Sequence, residues 1–194
     1  KVLAVDLSLS SLAYAKRKTE ELDINNIDYM QADILKLGQL NRQFDIIESV
    51  GVLHHMENPL AGWKVLADCL KPGGLMQIGL YSELARRHIV KIMEELKQLD
   101  IGSSDREIRS FRDTVIRSDK DHHKNILRSL DSYSLSEFRD LIFHVQEHRF
   151  TIPQIKDHLD ELGLNFCGFQ SKKIISRFKL TYPQRDDPYN LDKW

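Results

Sequence analysis

The chain has 194 residues, a net charge of −1, 41% hydrophobic and 29% charged residues, which excludes a disordered or fibrous protein and points to one globular domain. Near-neutral charge supplies no field for a nucleic-acid or membrane surface, and no apolar run approaches the roughly 18 residues needed to span a bilayer. No signal peptide is expected, and Cys69 and Cys167 lie in apolar runs, so both read as buried free thiols in a reducing, cytoplasmic compartment.

The chain opens without a Met on Lys1 to Val5, an aliphatic strand already under way and closed by Asp6. An acidic residue at the end of a parallel strand can accept hydrogen bonds from both ribose hydroxyls, and it can equally cap the helix that follows. Ser8 is placed to cap a helix over about Leu9 to Leu22, with Leu9, Leu12, Ala13 and Leu22 apolar and a charged, solvated middle. Ile27 to Gln31 is a second strand. Asp33 follows it and can accept from an exocyclic amine while Ile34 packs on a ring, or serve as a surface cap.

Phe44 to Ile47 is a third short strand, followed by the small segment Ser49-Val50-Gly51 and the pair His54-His55. Asn58-Pro59 starts a helix, because Asn caps free N–H groups and Pro suits the first helical position. Leu60, Trp63, Leu66, Ala67 and Leu70 give it one buried face, Lys71-Pro72-Gly73-Gly74 stops it, and Leu75 to Leu80 is a buried strand. Strand, helix and strand with short connections make a right-handed crossover in a parallel sheet. Ligands of such sheets bind outside the carboxyl ends of the strands, where Ser49, Gly51, His54 and His55 fall.

Beyond Tyr81 the periodicity predicts helices over about Leu84 to Leu99 and Asp105 to Arg117, with Ile108, Phe111 and Val115 inward. Four arginines in the second helix do not make a nucleic-acid surface: Ile101 to Phe150 holds nine Lys/Arg and nine Asp/Glu. Asp119 to Lys124 reads as a polar turn with His122 and His123 facing solvent. Ser134/Glu137 and Thr151/Gln154 form capping boxes for two further helices, the second lined by Ile152, Ile155, Leu159 and Leu162 and ended by Gly163. Leu164 to Phe169 is expected as a late strand, Lys172 to Tyr182 as a helix, and Pro183 to Trp194 as irregular.

In succession, the acidic strand ends at Asp6 and Asp33, the stretch FDIIESVGVLHHM and the turn LKPGG resemble the class I S-adenosylmethionine-dependent methyltransferases, over Val2 to about Tyr81. The resemblance implies an α/β, Rossmann-like, doubly wound and mostly parallel sheet with a helical cover. It implies an enzyme that transfers a methyl group from S-adenosylmethionine to an acceptor, small molecule or protein, that the motifs do not name. It places the ribose hydroxyls on Asp6, with Leu7 beside it, and adenine on Asp33 and Ile34. The methionine end and the acceptor fall to Ser49, Val50 and Gly51, with His54 as the candidate base. The later segments LYSELAR, FHVQEHRFT and DDPYNLDKW look like methyltransferases often joined to upstream tetratricopeptide repeats. The family's glycine-rich loop and first strand are expected before Lys1, and its last strand beyond Trp194, so this polypeptide alone is expected to bind cofactor weakly or not at all. Residues 1–194 are read as one partial domain: 1–81 the cofactor half, 82–150 the helical cover, 151–194 a helix-and-strand return with a tail.

Methyl transfer from a sulfonium demands little of the protein beyond holding donor and acceptor in line, an effect that can supply roughly 7–11 kcal/mol. A base is needed only for an acceptor that must lose a proton, and His54 or His55 titrates in the right range. Three rival readings remain open. His144-Val145-Gln146-Glu147-His148 matches the H-x-x-E-H pattern of inverted zinc peptidases, which nothing else supports, so no metal is assigned. A nicotinamide-dependent oxidoreductase accounts for Asp6 but not for Asp33, GVLHH and LKPGG together. A non-catalytic scaffold of methyltransferase type is the third.

Overall fold

The computed structural model describes residues 1–144, 146–184 and 187–194. Within it the chain forms two compact units: Lys1–Leu53 with Asn58–Ile78, and His54–Glu57 with Gly79–Trp194.

The first unit is α/β. Strand β1 (Val2–Asp6) leads through helix α1 (Leu9–Glu21) to β2 (Ile27–Gln31). The two strands pair in parallel, with Asp6 opposite Gln31. Ser8 caps α1 by accepting from Ser11 N–H at 3.2 Å. Of the apolar residues expected to face a core along α1, only Leu12 is buried, and Leu9 and Leu22 are exposed. A 3-10 turn over Ile34–Leu40 follows β2, with Asp33 as its cap.

Strand β3 (Phe44–Val50) runs three residues past the expected end, so Ser49 and Val50 close a strand rather than form a flexible segment. Asn58 accepts from Ala61 N–H at 3.0 Å and Pro59 opens α2 (Pro59–Asp68), as its residue types require. The helix ends at Asp68, before the glycine turn expected to stop it, and strand β4 (Leu70–Gly79) already includes the Lys-Pro-Gly-Gly stretch. Close approach explains that stretch: Gly73 has φ +76°, and a Cβ on Gly74 would lie 2.9 Å from the carbonyl oxygens of Asp45 and Lys71. β3 pairs with β4. Contacts rise together along both strands, from Lys71–Asp45 at 2.8 Å to Gln77–Glu48 at 3.4 Å, which is a parallel sense. Among the described residues no pairing joins β1–β2 to β3–β4. Apolar residues on these strands stay open, among them Val2, Ile46, Val50 and Leu75.

The second unit is mainly helical. The short strand β5 (Tyr81–Ser82) pairs in parallel with β6 (Arg149–Phe150). Between them lie α3 (Glu83–Gln98), α4 (Asp105–Arg117), α5 (Asp121–Ile126) and α6 (Leu135–Ile142). Their inward faces make one continuous core: Ile89, Ile92 and Leu96 from α3, Ile108, Phe111 and Val115 from α4, Ile126 from α5, and Phe138, Leu141 and Ile142 from α6. The expected polar turn at Asp119–Lys124 is therefore mostly helix α5, and it buries His123 and Ile126. The turn reading failed because two histidines and an Ile supply the inward face that aliphatic residues usually mark.

Helix α7 (Ile152–Glu161) carries the Thr151/Gln154 capping box, and Gly163 ends it at φ +65°. Its expected core face is only half-buried, and no residue of α7 is fully buried. No strand forms over Leu164–Phe169. Phe166 packs edge-on against Phe169, which packs against Trp194 at 4.7 Å, so aromatic contacts replace a ladder there. Cys167 in this segment is exposed, whereas Cys69 is buried. Helix α8 (Lys172–Thr181) closes the series, and Trp194 stacks on its Phe178 at 4.1 Å. Asp186, which opens the closing DDPYNLDKW segment, lies outside the described residues.

Candidate active site

Parallel register brings the two strand-tip carboxylates to one edge of the first unit. Asp6 sits opposite Gln31, the ladder continues through Ala32 N–H to Asp6 O at 3.2 Å, and Asp33 is the next residue. Each carboxylate has one structural duty. Asp6 Oδ1 accepts from Ser8 N–H at 2.8 Å, and Asp33 Oδ1 accepts from Leu35 N–H at 2.9 Å. The capping alternative is thus realised for Asp33, while Asp6 closes a local turn onto Ser8, the residue that caps α1, and each bond engages one oxygen. The second oxygen remains available to a hydroxyl or an amine, since a carboxylate offers about four acceptor positions.

Around these groups, Leu7 is exposed and Ile34 half-buried, so both present apolar surface to a ring. Leu7 is held by its carbonyl, which accepts from Gln31 Nε2 at 2.8 Å. At the end of β3, Ser49 is buried and its hydroxyl has no hydrogen-bond partner among the described residues. A buried hydroxyl without a partner costs about 1–3 kcal/mol, which a polar ligand group would relieve. Val50 is exposed, and Gly51 at φ +77° has open space where a Cβ would project.

His54 and His55 belong to the second unit. His54 is 1% exposed, and its Nδ1 lies 3.3 Å from Gly79 O, so Nδ1 carries the proton and Nε2 the lone pair. That Nε2 is buried without a partner. Burial, then the neighbouring His55, lowers the His54 pKa to about 4. Tyr81 stacks on the His54 ring at 3.8 Å, and the Arg86 guanidinium lies 4.0 Å from the Tyr81 centroid. Glu147, itself buried, clamps Arg86 through both carboxylate oxygens. His55 stacks on His144 at 4.0 Å and contacts Gln146 O through Nδ1 at 3.1 Å. Tyr81, Arg86 and Glu147 lie in the segments LYSELAR and FHVQEHRFT, but their coming together had no signal in the sequence, because Arg86 and Glu147 are 61 residues apart.

The described residues of the peptidase-like pattern are not helical. α6 ends at Ile142, Glu147 is committed to Arg86 and His144 pairs with Asp140 at 3.2 Å. Val145, inside the pattern, lies outside the described residues.

Residues 1–78 match the family model of the methyltransferase domain. Over 98% of the chain the fold superposes on PKMT2 from Rickettsia typhi, in a structure with AdoHcy, at a TM-score of 0.66 and 19% identity, covering 40% of that protein. The likeness to PKMT2 shows a Rossmann-type α/β fold for the chain, and the methyltransferase-domain match lies on residues 1–78 of it. An uncharacterized Synechococcus protein is 29% identical over the whole chain, which spans 49% of that relative's length. The ubiquinone biosynthesis O-methyltransferase of Ruegeria pomeroyi is 31% identical over 74 residues, or 38% of this chain and 29% of the relative. The chain therefore spans half or less of the curated relatives it matches.

Proposed function

We propose that this chain is part of an S-adenosylmethionine-dependent methyltransferase in which the β1–β2 edge holds the adenosine. Asp6 accepts from the ribose hydroxyls, Asp33 from adenine N6, and Leu7 and Ile34 flank the rings. Ser49, Val50 and Gly51 receive the methionine end, where the buried Ser49 hydroxyl gains a partner. The observation that carries this reading is the register of the two strand-tip carboxylates, each with an oxygen left after its bond to a backbone N–H. The open apolar faces of β1 and β3 support completion of the site by a further strand and the family's glycine-rich loop.

The acceptor is a small molecule or a protein group. A cytoplasmic setting and upstream tetratricopeptide repeats remain part of the proposal, and the near-neutral charge gives no support to a nucleic-acid acceptor. His54 is the candidate proton acceptor, through its Nε2 lone pair. A pKa near 4 restricts that role to an acceptor that releases its proton readily.

Calorimetric titration of the intact protein with S-adenosylhomocysteine tests the assignment. Asp6→Ala is expected to weaken binding by about 1–3 kcal/mol, the cost of stranding hydroxyl partners. Unchanged affinity removes the ribose role. Failure of the unsubstituted protein to bind at all favours the scaffold reading.

A further inference from the structure

We propose that Glu95, His122 and His123 form a site for one divalent transition-metal ion of the zinc class, clamping α5 to α3. Glu95 lies on α3, and the two histidines lie in the first turn of α5. His122 Nε2 is 2.8 Å from Glu95 Oε1, and His123 Nε2 is 2.7 Å from Glu95 Oε2. One ligand atom from each residue lies within 4.8 Å of the others. Consecutive helical residues point about 100° apart, so two neighbouring rings do not reach one group through a shared face. Here both rings turn inward on the same carboxylate, edge-on to each other at 4.5 Å.

Burial sets this cluster apart from the surface ion pairs of the chain. The His123 side chain is 2% exposed, that of His122 17% and that of Glu95 19%. Two imidazole nitrogens and a carboxylate with a fourth position open are a zinc donor set, and cobalt and nickel suit the same ligands. The carboxylate needs no deprotonation to serve. Burial raises its pKa, but hydrogen bonds from Lys120, His122 and His123 outweigh that and hold it at about 2.

In the metal-free protein the Lys120 ammonium sits 2.7 Å from Glu95 Oε1, on a side chain 57% exposed. It can swing into solvent when a cation takes its place. On binding, each Nε2 gives up its proton, and the neutral ring carries its proton on Nδ1 instead. His123 Nδ1 is buried without a partner. Ligating histidines normally donate through that far nitrogen, and losing such a contact costs about 10–100-fold in affinity. The site is therefore expected to bind more weakly than a closed structural zinc centre. It is independent of the methyltransferase reading.

The test is titration of the intact protein, prepared without a polyhistidine tag, with zinc against a competing chromophoric chelator. One equivalent is expected to bind, and the thermal midpoint is expected to rise with zinc. Glu95→Gln and His122→Gln are each expected to lower affinity at least about tenfold and to abolish the thermal shift, with circular dichroism reporting that each variant is folded. Lys120→Ala is expected to bind zinc at least as tightly, since it removes the competing cation. Absence of stoichiometric binding overturns the proposal, as does binding that survives unchanged in both ligand variants, which would place the ion elsewhere.

Discussion

The two units of this chain are stabilised by different means. In the first, the residues of interest are strand-end carboxylates and a strand-end bend, while apolar strand residues such as Ile46 and Leu75 are 70% and 58% exposed. In the second, four helices interlock around Ile92, Ile108, Val115, Ile126 and Phe138, all 0% exposed, and two charged clusters are buried beside that core. The residues proposed to hold the cofactor thus lie where packing is thin. An edge that admits a ligand cannot also be closed by packing, which is what the open strand faces of the first unit would allow.

The largest expected effect tests this contrast directly. Phe138→Ala removes a ring with no exposed surface from the helical core, and should destabilise the protein by about 3–5 kcal/mol. Ile46→Ala, on an open strand face, should stay within about 0.5 kcal/mol. Urea unfolding of the two variants compares them. A cost at Ile46 approaching that at Phe138 would show that the β3 face is covered in the folded protein, and the contrast would fail.

Acid probes two buried groups of the second unit next. The native His54 ring resists protonation down to about pH 4, whereas a free His takes a proton near 6.5. Between those values the unfolded chain binds a proton that the native ring does not, so stability falls as pH falls. Glu95 works in the adjoining window: it stays ionised in the native state down to about pH 2 and protonates near 4.5 when unfolded, so its contribution is lost as pH falls through that range. Each contributes at most about 3 kcal/mol. Unfolding curves at pH 7, 5.5 and 4 should show a decline that His54→Phe flattens between pH 6.5 and 4, and that Glu95→Gln flattens only below about 4.5. An unaltered slope in His54→Phe would mean that another group carries the titration.

The same division decides what could be read from the sequence. β1, α1, β2, α2, α3, α4 and α7 were legible because caps and periodicity are local: Ser8, Asn58-Pro59 and the Thr151/Gln154 box act within one turn. The methyltransferase-domain likeness of residues 1–78 was legible because its motifs fall at strand ends in fixed order. The buried clusters were not. Arg86–Glu147 spans 61 residues and Glu95–His123 spans 28, and no local pattern records that a charge will meet its partner. His122-His123 read as a solvated turn because histidine is ambiguous between surface and core. Leu164–Phe169 read as a strand because its apolar residues suit one, yet they meet Trp194, whose place at the far end of the tail no window could include.

Asp33 offers the smallest effect on stability and the sharpest on function, because its two duties can be separated. Its Oδ1 caps the turn after β2 through Leu35 N–H, and its other oxygen is the one proposed to accept from adenine. Serine is as good a cap as aspartate, so Asp33→Ser should alter stability by only a few tenths of a kcal/mol. It removes the charge that would draw an exocyclic amine, so S-adenosylhomocysteine affinity should fall about tenfold, or about 1.4 kcal/mol. Asp33→Ala should lose both, adding about 1 kcal/mol of instability from the missing cap. Equal affinity in Asp33→Ser and the unsubstituted protein would reduce Asp33 to a cap. The adenine would then have to be recognised by a different group on the same edge.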